Sequence, residues 1–465
     1  MHKPVTFWLW FIVPIAISVI LYGAFLSRLP FEDADEATYA MVTREMIESG
    51  DFMTLTLFGE PWVDKPPLLF WLMAGSAKIF GLNEFALRLP SAIFGILAVV
   101  FTMGIIWELT KNKEATALGG LILVLFPLFL AAARNVRMDV PVTAAILGSL
   151  YFFIRGRTVS LYLIGFGVAL GVGVLLKSVV ALLAVPSIFI YSILYRDWGW
   201  FKNRYFWMGN GLGLLTSLPW HFYEAWVWGP AFFIKYFGFQ LGRVTRNVIQ
   251  SGITNGYVLW VFWKYGQPWS SLFVISSTIF AIFLRRKKEI VFAFAAFVLT
   301  FGIFMLPTTK LVTYFIPSYP FLAIFLAVVY GGIFSTMRPV SQNILRAAVG
   351  LALIVAMVFS IREAFFESRL YVTKQAVDSK EIGTLLSRKS SDTPIYLYEN
   401  PSDQAIQYYS RRKATHLTEE KGVALSPPFF LVIPTSLVKE NEWLGEFPKL
   451  YSGIYLTLVS VERDE

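Results

Sequence analysis

The sequence predicts a helical membrane protein with about eleven spans, followed by a small external α/β domain. Three observations predict this fold: 56% of the 465 residues are hydrophobic, only 15% are charged, and long apolar segments recur up to residue 361. Soluble domains carry about a quarter charged residues, so the composition is typical of an integral membrane protein. The chain has no cysteine, which excludes disulfides, thiolate catalysis and zinc–thiolate sites.

The first apolar segment, residues 7–26, has about the length that crosses 30 Å of hydrocarbon as a helix. No convincing small-residue cleavage site follows it, so we expect an uncleaved span. A shorter apolar stretch at residues 70–80 is expected to lie at the membrane interface. The other predicted spans centre on Ala98, Leu123, Ala145, Gly167, Ala184, Gly213, Val274, Phe297, Ala323 and Val355.

Lysine and arginine concentrate in alternate loops, and this asymmetry sets the predicted orientation. The cation-rich loops, which we assign to the cytoplasm, contain Lys111, Lys113, Arg155, Arg157, Arg196, Lys202, Arg204 and residues 285–288. Two long segments, about 28–88 and 222–268, and the tail from residue 362 are then external. The net charge of +9 lies largely in the cytoplasmic loops, where anionic lipid explains it without nucleic acid.

The tail has the composition of an ordinary soluble protein. Residues 393–400 and 427–436 have the pattern of strands, and residues 373–389 that of an amphipathic helix. We therefore expect an α/β domain over residues 362–465.

The first outer segment is unusually acidic: it contains ten of the sixteen carboxylates that precede the tail. Residues 36–49 have the pattern of a helix that Gly50 ends. Asp33 or Asp35 would cap this helix, which is the simplest interpretation. A carboxylate held at a helix start would also suit a general base, so the two roles are compatible.

A rigid turn follows in the same segment, where Asp64 and Lys65 precede two prolines. Proline fixes its own φ and restricts the preceding residue, so Lys65 projects from a stiff backbone. The lysine would either neutralise acidic neighbours at the interface or hold a phosphate.

These motifs carry a family resemblance. The segments "DADEATYAMVTREMIESGDFMTLTLFGEPWVDKPPLLFWL", "RLPSAIFG", "RNVRMDVPVTA", "PWHFYEAWVWGPAFFIKYFGF" and "TTKLVTYFIPSYPFLA" resemble bacterial lipid-linked-sugar glycosyltransferases of the GT-C class. That group contains the aminoarabinose transferase of lipid A and protein O-mannosyltransferases. The resemblance implies a GT-C helix bundle over residues 1–361, with the site on the outer segments 28–88 and 222–268.

The resemblance also implies roles for single residues. Asp35 matches the catalytic carboxylate, with Glu36 beside it and Asp139 as a second acidic position. Lys65 matches the lysine that holds the donor phosphate, Tyr314 matches a tyrosine near the lipid phosphate, and either Arg243 or Arg246 matches the family's arginine. Lys310 fits the same phosphate role by its charge.

The metal position departs from the family pattern. Asp64 stands where aminoarabinose transferases have a metal-contacting glutamate, but Gln240 replaces the usual histidine. Glutamine is a poor metal ligand, so we expect at most a weakly held divalent ion and no other cofactor. His221 is expected in the interfacial aromatic belt, with an acceptor or phosphate contact as the alternative.

Several other polar residues have two interpretations. Arg134, Arg137 and Asp139 either form an interfacial ion pair or contribute to the site. Arg88 is expected to anchor a helix end, and Lys177 to mark a span boundary.

Together these features predict an inverting transfer of sugar from a polyprenyl phosphate on the outer face of the bacterial inner membrane. No Gly-rich phosphate loop indicates a nucleotide-sugar donor, so the donor should arrive by lipid. The acceptor would be lipid A or lipopolysaccharide, another glycan, or a protein. The alternative function is a lipid or glycan transporter, but transport predicts ionisable residues deep within spans and related halves of the chain.

Overall fold

The structure is a computed structural model. It describes residues 5–32, 34–245, 253–362, 375–399, 404–417, 426–440 and 446–462. Helices account for nearly all regular structure up to residue 362, and a five-stranded sheet lies in the tail. Asp33 and Arg246 lie outside the described residues.

The helices up to residue 362 are α1 (Val5–Gly23), α2 (Asp35–Ser49), α3 (Leu68–Phe80), α4 (Glu84–Thr110), α5 (Lys113–Val124), α6 (Pro127–Ala133), α7 (Asp139–Gly156), α8 (Tyr162–Lys177), α9 (Ala184–Tyr195), α10 (Arg204–Trp228), α11 (Pro230–Thr245), α12 (Asn255–Tyr265), α13 (Trp269–Ile279), α14 (Lys288–Met305), α15 (Tyr319–Phe334) and α16 (Pro339–Arg362). Short 3₁₀-helices lie at Ser178–Leu183, Gly199–Lys202 and Val312–Ser318, and a short π-helix lies at Phe280–Leu284. Strands β1 (Thr56–Leu57) and β2 (Glu60–Pro61) form a hairpin after α2.

The predicted helix of the acidic segment is confirmed as α2. Gly50 ends it in the left-handed conformation with φ 73°, and its N–H donates to the Met46 carbonyl. Glycine adopts this conformation without steric cost, which is why it terminates helices so often. The apolar side chains Tyr39, Val42 and Met46 of this helix are buried. The next helix, α3, has 13 residues and is too short to cross a bilayer.

Five helical stretches of the described residues are long and apolar enough to cross a membrane. They are Glu84–Thr110, Tyr162–Tyr195, Lys288–Met305, Val312–Phe334 and Pro339–Arg362. Two bent helix pairs raise this number to seven if each pair is one span. The figure of about eleven spans therefore stays a prediction.

The stretch Tyr162–Tyr195 contains a reversal of the chain. Asp139 at the start of α7 pairs with Lys177 at the end of α8, whereas Arg157 after the end of α7 pairs with Asp197 after α9. The 18 residues of α7 separate its two ends by roughly 27 Å. The chain thus travels the length of α7 along α8 and returns along α9, which agrees with the two spans predicted around Gly167 and Ala184.

These ion pairs define two ends of the bundle. We call the end with Asp139 and Lys177 the site end, and the end with Arg157 and Asp197 the opposite end. Further ion pairs join Arg88 to Glu36 and Lys380 to Glu84 at the site end, and Arg155 to Glu108 at the opposite end. The acidic segment and the tail therefore share one end, away from the predicted cytoplasmic cations. Which end faces outwards stays a prediction.

Helices α8 and α10 approach each other through glycine. A Cβ added to Gly167 would collide with the backbone of Gly209, and one added to Gly171 would collide with the backbone of Gly213. Both helices thus contain small residues four positions apart, a spacing that permits close helix packing in membranes.

The tail contains helices α17 (Gln375–Leu386), α18 (Gln404–Ser410) and α19 (Thr435–Glu440), and strands β3 (Ile395–Tyr398), β4 (Thr415–Leu417), β5 (Phe429–Pro434), β6 (Lys449–Ser452) and β7 (Leu456–Val461). The strand order is β4-β3-β5-β7-β6, with parallel pairing of β3 to β4 and β5 and antiparallel pairing among β5, β7 and β6. The predicted strands correspond to β3 and β5, and the predicted helix to α17. The tail has its own apolar core, which includes Ile382, Leu397 and Val432.

Candidate glycosyl-transfer site

The site end presents Asp35 as the first residue of α2, with its side chain 43% exposed. Its charged neighbour is Arg137, whose Nη1 lies 3.6 Å from Oδ2. The prediction that Asp35 caps the helix is wrong, because the residue that precedes α2 is Ala34 and no side chain caps it there. Asp35 therefore keeps a solvent-accessible carboxylate beside the Arg137 guanidinium.

Glu36 has a different environment, fully removed from solvent. Its carboxylate accepts hydrogen bonds from Arg88 Nε at 2.8 Å and Arg88 Nη2 at 2.7 Å. It also accepts the backbone N–H groups of Glu32 and Val136, each at 2.8 Å. Four donors occupy this carboxylate, so it ties α2 to α4 and to the segment before α7.

Arg88 is expected to anchor a helix end, and it lies near the start of α4. The side chain is 2% exposed. Besides Glu36, it donates to the backbone carbonyls of Leu26, Leu29 and Pro30 at 2.7–2.8 Å. A buried arginine with all of these partners fixes the chain that leads from α1 into the acidic segment.

Two more arginines follow α6. Arg137 bridges the acidic segment, with Nη2 at 3.2 Å from Glu32 Oε2 in addition to its contact with Asp35. Arg134 donates to the carbonyls of Leu21 and Ala24 at the end of α1. Burial, with the nearby Arg88 charge, lowers the pKa of Arg134 to about 10. Arg137 thus contacts the candidate base, whereas Arg134 supports the fold.

A second charged group lies at the start of α7. Asp139 is 4% exposed and pairs with Lys177, which ends α8. The Lys177 ammonium also lies 5.4 Å from the centre of the Tyr314 ring. The structure therefore brings together two predicted site residues, Asp139 and Tyr314, through Lys177, which the sequence indicates only as a span boundary.

The Lys65 segment lies beside this group. Val63 and Leu175 pack in one buried cluster with Trp220, Phe232 and Tyr236, which brings the chain before Lys65 next to the end of α8. Lys65 is 7% exposed, and its Nζ lies 3.4 Å from the Asp64 carbonyl. The segment that carries Lys65 thus adjoins the helix that Lys177 ends.

The segment that precedes α15 supplies Lys310 and Tyr314. Lys310 is 8% exposed and donates to the carbonyl of Pro307. The turn Val312–Ser318, which contains Tyr314, packs against α7. Because Lys310 lies just before this turn, it is placed at the site end as well.

The remaining predicted residues are only partly described. Gln240 and Arg243 lie in α11, and nothing is described of their side chains, while Arg246 lies beyond the helix in a part that the structure does not describe. Tyr236 fixes helix α11, because its ring is buried against Trp220. The Tyr236 hydroxyl lies 3.4 Å from His221 Nε2. His221 is half-buried, and its Nδ1 lies 2.8 Å from the carbonyl of Ser217.

Sequence reasoning missed the contribution of the tail. Tyr409 and Gln404 of α18 bond to the backbone of Phe31 and Ala34, next to Asp35. No local pattern could have indicated this contact, because more than 360 residues separate the partners.

Comparisons with known proteins find relatives in sequence and in fold. The family model for dolichyl-phosphate-mannose-protein mannosyltransferase matches residues 64–223. Undecaprenyl phosphate-alpha-4-amino-4-deoxy-L-arabinose arabinosyl transferase 1 of Pseudomonas fluorescens is 28% identical over 300 residues, 61% of this chain and 51% of the relative. An uncharacterized protein of Aquifex aeolicus is 29% identical over 298 residues, 63% of this chain and 58% of the relative. The chain thus matches only between about half and three fifths of the length of these two relatives.

A solved structure extends the likeness to the whole fold. ArnT from Cupriavidus metallidurans, crystallised with undecaprenyl phosphate, superposes with a TM-score of 0.75 at 18% identity and covers 97% of this chain and 98% of its own. At that identity the match establishes the membrane fold. The chain is thus a relative, in sequence and in fold, of the GT-C superfamily that contains the aminoarabinose transferases and the protein O-mannosyltransferases.

Proposed function

We propose that the protein transfers a sugar from a polyprenyl-phosphate donor to an envelope acceptor, with inversion at the anomeric carbon. The acceptor is a hydroxyl-bearing component: lipid A or lipopolysaccharide, another glycan, or a protein. The reaction takes place at the site end, which we assign to the outer face of the bacterial inner membrane. Relatives whose names specify a lipid-linked sugar donor support this activity over the transporter.

One observation carries the proposal: an accessible carboxylate and three lysine ammonium groups share the site end. Asp35 remains exposed, whereas Lys65 and Lys310 are buried and Lys177 is held against Asp139. Cations that the fold holds in place suit the negative charge that develops on a leaving phosphate. The base and the cations are separate groups, and the reaction needs both. The base takes the proton of the acceptor hydroxyl, and the cations stabilise the negative charge on the phosphate.

The chemistry assigns each group a part. The acceptor hydroxyl oxygen attacks the anomeric carbon as the bond from that carbon to the phosphate oxygen breaks. The electron pair of that bond leaves on the polyprenyl phosphate, where Lys65 and Lys177 stabilise the growing negative charge. Asp35 accepts the hydroxyl proton from the opposite face of the sugar, which gives inversion.

The other candidate residues have supporting parts. Tyr314 and Lys310 contact the phosphate side with Lys177, and either Arg243 or Arg246 of the α11 region adds a cation there. Asp139 acts through Lys177, and Glu36 acts through the backbone that it holds. Both are therefore positioning residues, and only Asp35 reacts with the acceptor.

A tightly held divalent ion does not fit the donor set. Within the described ranges, no three histidine, cysteine, aspartate or glutamate side chains come together as metal ligands. Asp64 would need Gln240 as its partner, and amide oxygens bind transition metals weakly. No step of the proposed reaction is therefore assigned to a metal.

The direct test measures transfer by the purified protein in lipid with polyprenyl-phosphate sugars and envelope fractions. We expect radiolabelled sugar to move from the lipid to an acceptor, which mass spectrometry then identifies. Asp35→Asn should abolish transfer, whereas Glu60→Gln, at an exposed carboxylate of the same segment, should not. Transfer from a nucleotide sugar without lipid would contradict the proposal.

A further inference from the structure

The backbone immediately before Asp35 is strained. Ala34 has φ 64° and ψ −119°, a conformation that glycine adopts freely and that a residue with a Cβ disfavours. Strain of this kind persists only where surrounding contacts enforce it. The contacts that hold Ala34 therefore decide how α2 begins and where Asp35 points.

Two of those contacts come from the tail. The Ala34 N–H donates to Gln404 Oε1 at 3.2 Å, and the Phe31 N–H donates to the Tyr409 hydroxyl at 2.8 Å. The buried Phe31 ring also meets the Tyr408 ring edge-on at 5.0 Å. All three tail residues belong to α18, so one short helix holds the chain that leads into α2 through two hydrogen bonds and a ring contact.

Helix α18 is in turn fixed to the bundle. The Tyr409 hydroxyl donates to Glu84 Oε1 at 2.9 Å, and Lys380 of α17 donates to the same oxygen at 2.6 Å. Arg44 of α2 donates to the Tyr408 carbonyl at 2.8 Å. Because burial raises the pKa of Tyr409 well above its ordinary value, the hydroxyl keeps its proton and can donate to Glu84 while it accepts from Phe31.

We propose that α18 is a positioning element of the transfer site, and that Gln404 aims Asp35 by holding the strained Ala34 backbone. The inference rests on the proposed function for its kinetic consequences. Gln404 is a positioning residue, since its contact is with the backbone that precedes the base. The tail thereby contributes to catalysis without touching substrate.

The kinetic test uses the full chain in lipid. Gln404→Ala removes a single hydrogen bond, so we expect kcat to fall about tenfold with the donor KM unchanged. Gln404→Glu retains an acceptor oxygen and should keep most of the activity. Gln342→Ala is the matched control, because that glutamine bonds to the carbonyls of Phe334 and Met337, away from the site end. An unchanged kcat in Gln404→Ala would overturn the proposal.

A suppressor variant tests the role of strain. Glycine at position 34 adopts the required φ without being held, so Ala34→Gly should restore most of the kcat that Gln404→Ala loses. If the double variant stays as slow as Gln404→Ala, the strain is not what Gln404 controls, and the inference fails.

A readout independent of activity separates this inference from the proposed function. Hydrogen–deuterium exchange of the peptide over residues 31–36 should speed up in Gln404→Ala and stay at the parent rate in Gln342→Ala. Faster exchange in a protein that transfers no sugar would support the contact but contradict the proposed function. Unchanged exchange would contradict the contact itself.

Discussion

Arg88 and Glu36 form a two-point ion pair in which both side chains are almost completely shielded from water, at distances of 2.8 and 2.7 Å. Removing one partner of a buried pair typically costs about 3–5 kcal/mol, because the other charge is left uncompensated. We therefore expect Glu36→Gln to lower the free energy of unfolding by that amount. Thermal unfolding in detergent measures it, with Glu60→Gln as the exposed control. Wild-type stability in Glu36→Gln would show that the pair does not support the fold.

Asp35→Asn should lower turnover and leave stability unchanged, unlike Glu36→Gln, which should lower stability. The side chain is 43% exposed and caps no helix, so its neutralisation leaves folding and donor binding intact. General-base catalysis contributes roughly 10²–10⁴-fold, and we expect turnover to fall by that factor. Parallel transfer and donor-binding assays check this outcome. Transfer at the parent rate would remove Asp35 from the mechanism.

Lys65→Met should weaken donor binding while the apolar stem of the side chain is kept. The ammonium is 7% exposed beside the end of α8, and charged hydrogen bonds contribute about 1.5–3 kcal/mol. We expect the Kd for polyprenyl-phosphate sugar to rise roughly 10- to 150-fold. Lys111→Met, at an exposed lysine of the opposite end, is the matched control. Equal donor affinity in both variants would contradict the phosphate role.

Asp139 and Lys177 should behave as one unit. If Asp139 acts only by orienting Lys177, the double variant Asp139→Asn with Lys177→Met binds donor no worse than Lys177→Met alone. A double-mutant cycle on the donor Kd should give a coupling of about 0.5–3 kcal/mol. Additive effects would mean that Asp139 contacts the ligands independently.

The two ends of the bundle allow a test of orientation. Reporter fusions after Ser49, Thr245 and Glu420 should report the outside, and fusions after Lys111 and Asp197 the cytoplasm. The loop cations support this assignment, because positively charged loops stay inside. A cytoplasmic signal after Ser49 would reverse the orientation and relocate the proposed reaction.

The local features of the site could be predicted from the sequence. Periodicity located α2, and Gly50 marked its end, because both signals reside in neighbouring residues. The resemblance supplied the candidate roles of Asp35 and Lys65. The polar pairings could not be predicted: Glu36 meets Arg88 across 52 residues, and Phe31 meets Tyr409 across 378.

Burial was also invisible in the sequence. Glu36 and Asp35 are adjacent acids of similar chemistry, yet one is sealed in the interior and the other faces solvent. A helix turns about 100° per residue, so adjacent side chains face different surroundings, and only the tertiary packing decides which. The same limitation applies to Arg88, because the sequence does not indicate that this side chain is buried.

The contact of α8 with α10 at Gly167 and Gly209 has a mechanical consequence. The main chains of α8 and α10 touch at these glycines, so we expect a displacement of one helix to be passed on to the other. Lys177 ends α8, while α10 exposes Leu212 and Leu215 on its outer surface. Any displacement of Lys177 towards an arriving phosphate would therefore shift that outer surface against the surrounding lipid. Bilayer thickness and lateral pressure should then influence how readily the donor is engaged.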